Sequence, residues 1–347
     1  MNPRAVWAVA KAQFREFWRT PEAVFWTYGF PLVMTVVLGF AFGPKPPDPV
    51  PIAVVVADPA AADSDPLVAV LRHDARLSVE VLDAAAADRA LVRGRVGLLV
   101  HGSVAEPVVR ADPTRPEAQL AGLVVARALR DARDGPGVAI AQEVEDRPGS
   151  RYIDFLVPGL IGLNLLGAGM WGFGFNLVQM RTQNLLRRLS VTPLTRGEFL
   201  LGYLMGRFVL VIPEAIVIAL FGVLLWGVPF RGSWLAFLLV VAVGGFAFAG
   251  LGCLLASRAR TTEGVAGLMN LCQLPMWMLG GVFFANENLR GPMRWAAEAL
   301  PLTHINRALR DVMLEPGSVL DIAVPLAGLG LFAALCFGLG LRLFRWQ

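Results

Sequence analysis

Glu214 follows Pro213 midway along an apolar stretch over 199–226. If that stretch lies in a bilayer, an ionised carboxyl at its centre costs roughly 2.5–3.5 kcal/mol, so the group must face a cavity or a partner. Two readings are open. Glu214 contacts a cationic group or a proton, or it is a carboxyl hydrogen-bonded to a neighbouring helix. Arg207 precedes it by seven residues, about 10.5 Å along a helix axis, too far for a simple pair. Its long stem is expected to carry the guanidinium to the inner surface. Asn164, Asn176, Asn270 and Gln273 place amides in other apolar stretches, where they line a path or hydrogen-bond between helices. Gly202 and Gly206 form a G-x-x-x-G pair, and Gly167, Gly169, Gly172 and Gly174 crowd an earlier stretch. Both permit close helix approach, within one subunit or across a dimer.

Other chemistries are excluded by residue type and spacing. Cys253, Cys272 and Cys336 all fall in apolar stretches, and His73, His101 and His304 are scattered without an H-E-x-x-H spacing. A disulfide framework or thiolate metal site does not follow from such a set. The two lysines, Lys11 and Lys45, follow Ala10 and Pro44, so no G-x-x-x-x-G-K-[ST] phosphate loop is present. No acid/base pair or activated nucleophile is visible. Catalytic, metal and cofactor residues are therefore none, and no nucleic-acid partner is expected.

The elements that carry these residues are set by composition. Of 347 residues 56% are hydrophobic and 17% charged, with a mean hydropathy of +0.58, where soluble domains carry about 25% charge. Six apolar runs account for the excess: 22–43, 155–179, 199–226, 234–256, 264–285 and 319–341. Each exceeds the ~20 residues that cross ~30 Å of hydrocarbon as a helix. The fold class is a polytopic α-helical membrane protein with six transmembrane helices. Twelve Lys and Arg flank the segments that lie inside if the N-terminus is inside: Arg4, Lys11, Arg15, Arg19, Arg181, Arg187, Arg188, Arg196, Arg258, Arg260, Arg342 and Arg345. Five flank the short outer ones: Arg231, Arg290, Arg294, Arg307 and Arg310. The positive-inside bias puts both termini, including the tail 342–347, in the cytoplasm.

Residues 1–21 read as an interfacial amphipathic helix. Val6, Trp7, Ala10, Phe14, Phe17 and Trp18 share one face, and Arg4, Lys11, Arg15 and Arg19 the adjacent one, an arrangement suited to anionic membrane lipids. The run that follows exceeds a signal peptide's 7–15-residue apolar core, so it reads as a retained anchor despite the cleavage-like Ala41-Phe42-Gly43. Over 44–154 the pattern changes. Strands are expected at 52–58, 77–83 and 96–101, separated by Ala-, Arg- and Asp-rich helical stretches, with a further helix over 117–134. That alternation predicts a small extracytoplasmic α/β domain with crossovers. It lacks a Gly-rich loop after any strand, so it reads as an interaction or substrate-access domain.

Several separated segments then agree in order with one family. VPGL (157–160) opens the second span, and LLRRLSVTPLTRGEFLLGYLMGR (185–207) forms an inner loop and the start of the third. LLASRARTTEGV (254–265) is the next inner loop, and LGGVFFANENL (279–289) precedes ALPLTHINRALRDVML (299–314). The chain resembles the permease subunits of ABC-2 type transporters, in their longer subfamily with a domain after the first span. The five-helix permease domain is then 155–341. Where such permeases carry a glutamate and a glycine before the Leu-Arg-Arg-Leu stretch, this chain has Met180 and Asn184.

The resemblance implies a division of labour. Two permease halves, identical or paralogous, form the substrate path, while a separate cytoplasmic ABC-type ATPase holds ATP and Mg²⁺ and drives export. The loop 180–198 is the implied coupling element. Asn184, Leu185, Leu186, Arg187, Arg188 and Leu189 form a short helix with a leucine stripe between arginines, ended by Pro193, which docks on the ATPase or else only lies at the interface and sets topology. The region 286–318 is the implied outer re-entrant element, with Pro275 and Gly280-Gly281 breaking the fifth span ahead of it. The expected place is a bacterial inner membrane, with a periplasmic adaptor as a further partner. Two other functions fit the residues: a proton-coupled secondary transporter using Glu214, and a receptor or scaffold with a ligand-binding outer domain.

Overall fold

The computed structural model describes residues 2–42, 49–56, 62, 64–104, 106–111, 116–134, 151–186, 193–259, 261–316 and 322–343. In chain order they form α1 (Pro3–Trp18), α2 (Pro21–Val24), a π-helical segment Phe25–Gly29 and α3 (Phe30–Phe42). Next come β1 (Val50–Val55), α4 (Pro66–His73), β2 (Leu77–Leu82), α5 (Ala84–Val92), β3 (Leu98–Gly102), β4 (Pro107–Ala111) and α6 (Pro116–Asp134). The chain continues through α7 (Tyr152–Gly169), a second π segment Met170–Phe175, α8 (Asn176–Thr182), α9 (Arg196–Trp226) and α10 (Trp234–Arg258). Last are α11 (Thr262–Leu279), a 3₁₀ turn Asn286–Asn288, α12 (Pro292–Glu298), α13 (Pro301–Leu314) and α14 (Ala323–Leu343). Two compact units result: Met1–Gly43 with Asp146–Gln347, and Pro44–Glu145.

Among the described residues, the helical unit contains five helices long and apolar enough to cross a membrane: Pro21–Ala41, Tyr152–Thr182, Gly197–Trp226, Trp234–Arg258 and Ala323–Leu343. The chain is thus a mostly helical, polytopic membrane protein. The sixth span expected, 264–285, differs. Its helix is α11, which has 18 residues, about 27 Å at the helical rise. Thr262, Glu263, Asn270 and Gln273 dilute its hydropathy. Pro275 does not break it. The helix ends at Gly280, and Gly281 has φ +68°, a conformation open to glycine at no steric cost.

Long-range hydrogen bonds hold the chain after that break. Asn306 Nδ2 donates to the Gly280 carbonyl (2.7 Å), Arg310 Nη2 to the Gly281 carbonyl, and the Tyr152 hydroxyl to the Phe283 carbonyl (2.9 Å). Arg310 also stacks 3.5 Å from the centre of the Phe155 ring. In the expected re-entrant region, α12 and α13 are separated at Ala299–Leu300, and α13 buries Leu302, Ile305, Ala308, Leu309, Val312 and Met313. That spacing of three and four residues is one helical face, which joins the core around α7 and α10.

Close packing at the centre relies on small residues. A Cβ at Gly169 would lie 2.5 Å from the Phe248 backbone, and one at Gly174 would lie 2.5 Å from the Gly252 carbonyl oxygen. At the same end as the break, Arg151 pairs with the fully buried Asp154 (2.8 Å) and donates to the Gly227 carbonyl (2.9 Å). This pair fixes the start of α7 against the end of α9.

The unit Pro44–Glu145 holds a four-stranded sheet in the order β2-β1-β3-β4. β1 runs parallel to β2 and β3, and β4 is antiparallel to β3. Ile52, Val54, Leu98 and Val100 face α4 and α6, while Ala53 and Leu99 face α5 with Ala87 and Ala90. This alternation is the period of two expected of strands covered on both faces. Asp65 and Asp83 cap α4 and α5 by accepting from Leu67 N (2.8 Å) and Ala86 N (2.6 Å). The antiparallel strand β4 was not among the strands expected from sequence.

Candidate functional site

The site is assembled from the N-terminal helix outward. α1 begins at Asn2, whose side chain accepts from Arg4 N (3.0 Å), and it packs along the first half of α9. Gly202 makes this possible, since a Cβ there would meet the Val6 carbonyl oxygen at 2.6 Å. At Gly206 a Cβ would lie 3.1 Å from the Ala10 Cα. The G-x-x-x-G pair therefore seats α1 within the same chain. Thr195 and Glu198 form a reciprocal capping box at the start of α9. The free carboxylate oxygen of Glu198 accepts from Asn2 N (2.5 Å), which joins the two helix starts. The T-x-x-E spacing of 195–198 marks the capping box locally, but nothing local points to Asn2.

Of the apolar face of α1, Val6, Ala10 and Phe17 are buried, while Trp7, Phe14 and Trp18 stay exposed. The aromatic edge continues into the first span through Phe17, Trp18 and Tyr28, whose rings lie about 6 Å apart. The Tyr28 hydroxyl donates to the Leu210 carbonyl (3.1 Å).

Between these elements lies a cavity of ≈ 730 Å³. α1 contributes Gln13 and Glu16, the first span Trp26 and Thr27, α7 Asn164 and Gly167, and α9 Tyr203, Arg207 and Glu214. Trp171 and Gly172, from the second π segment, and Asn176 complete the wall. Both π segments of the described chain thus border the same cavity. Such one-residue helical bulges recur at functional sites.

Glu214 is 4% exposed, and its Oε2 has no hydrogen-bond partner among the described residues. Arg207 lines the same cavity. Gly172 has no side chain, so the guanidinium lies against it, and Arg207 Nε donates to the Ala168 carbonyl (3.2 Å). A vacant side-chain position draws the arginine sideways into the cavity.

Of the amides singled out in sequence, Asn164 and Asn176 line the cavity. Asn176 Nδ2 donates to the Gly172 carbonyl (3.0 Å). Gln273 is buried and reaches the wall indirectly, its Oε1 accepting from Trp171 Nε1 (2.6 Å). Asn270 is exposed on α11 and does not border the cavity. Gln13, Glu16, Trp26 and Trp171 were not singled out in sequence, because nothing local ties residues so far apart to one wall.

After α8 (Asn176–Thr182), Asn184 takes the left-handed conformation with φ +58°. This is the position where the resembling permeases carry glycine. Asparagine is the residue after glycine that most readily adopts it. Met180 packs in a cluster with Leu186, Phe199 and Tyr203. Leu186 is 4% exposed and Leu185 37%, so Leu186 belongs to the chain's own core and Leu185 is the open member of the stripe. Arg187, Arg188 and Leu189 lie outside the described residues.

Residues 126–314 match the family described as ABC-2 type transporter. The chain is 26% identical over 183 residues to ABC transporter G family member 20 of Dictyostelium discoideum, covering 52% of this chain and 25% of that one. It is 24% identical over 175 residues to the Probable multidrug ABC transporter permease YbhR of Escherichia coli (strain K12), covering 50% and 47%. It is 27% identical over 216 residues to Nodulation protein J of Bradyrhizobium diazoefficiens, covering 61% of this chain and 80% of that one. The chain thus spans between a quarter and about half of the first two relatives. With more than half of its length matched in one continuous stretch, the chain belongs to the ABC-2 type transporter family and is a transmembrane transport permease.

Proposed function

We propose that this chain is the membrane half of an ATP-driven exporter, working as a dimer and powered by a separate cytoplasmic ABC-type ATPase that holds ATP and Mg²⁺. Family membership supports the transport role. The chain has no lysine after a glycine, which supports an energy source on another polypeptide. The observation that carries the reading is the cavity of ≈ 730 Å³ with buried Glu214 on its wall. Its size falls within the roughly 300–1,000 Å³ of sites that take organic ligands. The name of the Escherichia coli relative, a multidrug permease, supports a drug-sized organic cargo here as well. The charge bias of the loops supports an inner-membrane orientation with both termini cytoplasmic.

Coupling is assigned to the loop around Asn184–Leu189, with Leu185 as its exposed contact. The experiment is co-reconstitution of this chain with a candidate ABC-type ATPase in liposomes. Association and a changed rate of ATP hydrolysis are expected, and Leu185→Glu should abolish that change while leaving the fold intact. Unaltered stimulation by Leu185→Glu would remove the coupling assignment. The unpartnered Glu214 favours a second reading, transport driven by protons. That reading requires transport without ATP and its loss in Glu214→Gln.

A further inference from the structure

We propose that the cavity between α1, the first span, α7 and α9 is a binding site for an organic ammonium compound, an amphiphile with an N–H-bearing cation and an apolar body. The inference rests on the transport reading above and names the chemical class that its cavity takes.

Four observations support it. Glu214 is more than nine-tenths buried on the wall, and its Oε2 lacks a donor among the described residues. Gln13 also lines the cavity, and its buried Oε1, which lies toward Gly206, has no donor among the described residues. Both missing partners are therefore donors, and burying an acceptor without one is costly. Arg207 does not supply the missing donor to Oε2, and its Nε is engaged by the Ala168 carbonyl. Glu214 and Arg207 are the charged side chains set into the wall, and Glu16 is exposed at its edge. Phe17, Trp26, Phe30 and Trp171 supply aromatic surface in the same cavity, which suits the apolar body and the face-on approach of a cation.

The test uses the full chain in lipid nanodiscs. The probes are a dansylated alkyl primary amine and its N-acetylated, uncharged counterpart, with empty nanodiscs subtracted. The amine is expected to bind at least tenfold more tightly than the acetylated form. Glu214→Gln should erase that difference while leaving the weak binding of the uncharged form. Gly167 provides the second variant. It lines the cavity, and an added Cβ there meets nothing within 4 Å, so Gly167→Phe fills the space without displacing the backbone. It should weaken both probes.

Equal affinity for amine and acetylated forms would overturn the proposal. So would amine binding unchanged in Glu214→Gln, or unchanged in Gly167→Phe, which would put the amine elsewhere. These readouts involve no ATPase. Their failure leaves the exporter reading standing, whereas loss of ATPase coupling with amine binding intact removes that reading alone.

Discussion

At the scale of single residues, Asn184 and Glu198 do the work that helix ends require. Asn184 turns the chain at φ +58°, where a β-branched side chain pays a steric cost. Asn184→Gly is expected to match or slightly exceed the parent in thermal stability, while Asn184→Val should lose about 1 kcal/mol. Denaturant or thermal melts of the purified protein measure both. Glu198 accepts from the backbone of Asn2 and of Thr195, so Glu198→Ala leaves two helix-start donors without their carboxylate. It should free the N-terminal helix, seen as faster limited proteolysis ahead of residue 20. Part of this was readable in sequence. The T-x-x-E spacing is local, and a lone carboxyl in an apolar run is conspicuous, which is why Glu214, Asn164 and Asn176 could be singled out. Asn270 and Gln273 are three residues apart on α11, about 60° around the helix, and only the packing shows that Gln273 is buried and Asn270 exposed.

At the scale of elements, small residues decide which helices meet. Gly202 and Gly206 bring α1 onto α9, with the Val6 carbonyl oxygen 2.6 Å from a Cβ built at Gly202. Gly202→Leu should cost roughly 1–3 kcal/mol by overpacking and expose the buried edge of α1. Gly197→Leu, at a position with nothing within 4 Å of an added Cβ, should be near neutral. Labelling a cysteine at Val9 in each background would register the difference. The spans themselves were legible because bilayer thickness dictates apolar length, and a run of that length reads directly from composition. The end of α11 was legible only as the Gly280-Gly281 pair, not in what holds it. The run 264–285 stays apolar through Gly280 and Gly281, and the break is held by Asn306 and Arg310 from a later helix. The two π segments were equally hidden, since no local residue pattern marks them.

For the molecule as a whole, Pro44–Glu145 has its own sheet and its own buried clusters on both faces. Expressed alone, this segment should give a mixed α/β circular dichroism spectrum and one cooperative melt. Absence of a cooperative transition would mean that its core needs the rest of the chain. Its parallel strand order was foreshadowed by strand–helix alternation, whereas β4 is a short stretch after Pro107 with no alternating face buried. The span Tyr152–Thr182 carries one further consequence. Its first end is anchored by Arg151, Asp154 and Tyr152, and its last end leads to Leu186 in the core. The π segment between them inserts one residue's worth of rotation, about 100° in an α-helix. It therefore acts as a phase setting between the two ends of the transporter. Removing a single residue from 170–175 would restore a regular helix and turn the last end out of step with the first, so this span tolerates substitution far better than it tolerates a change in length.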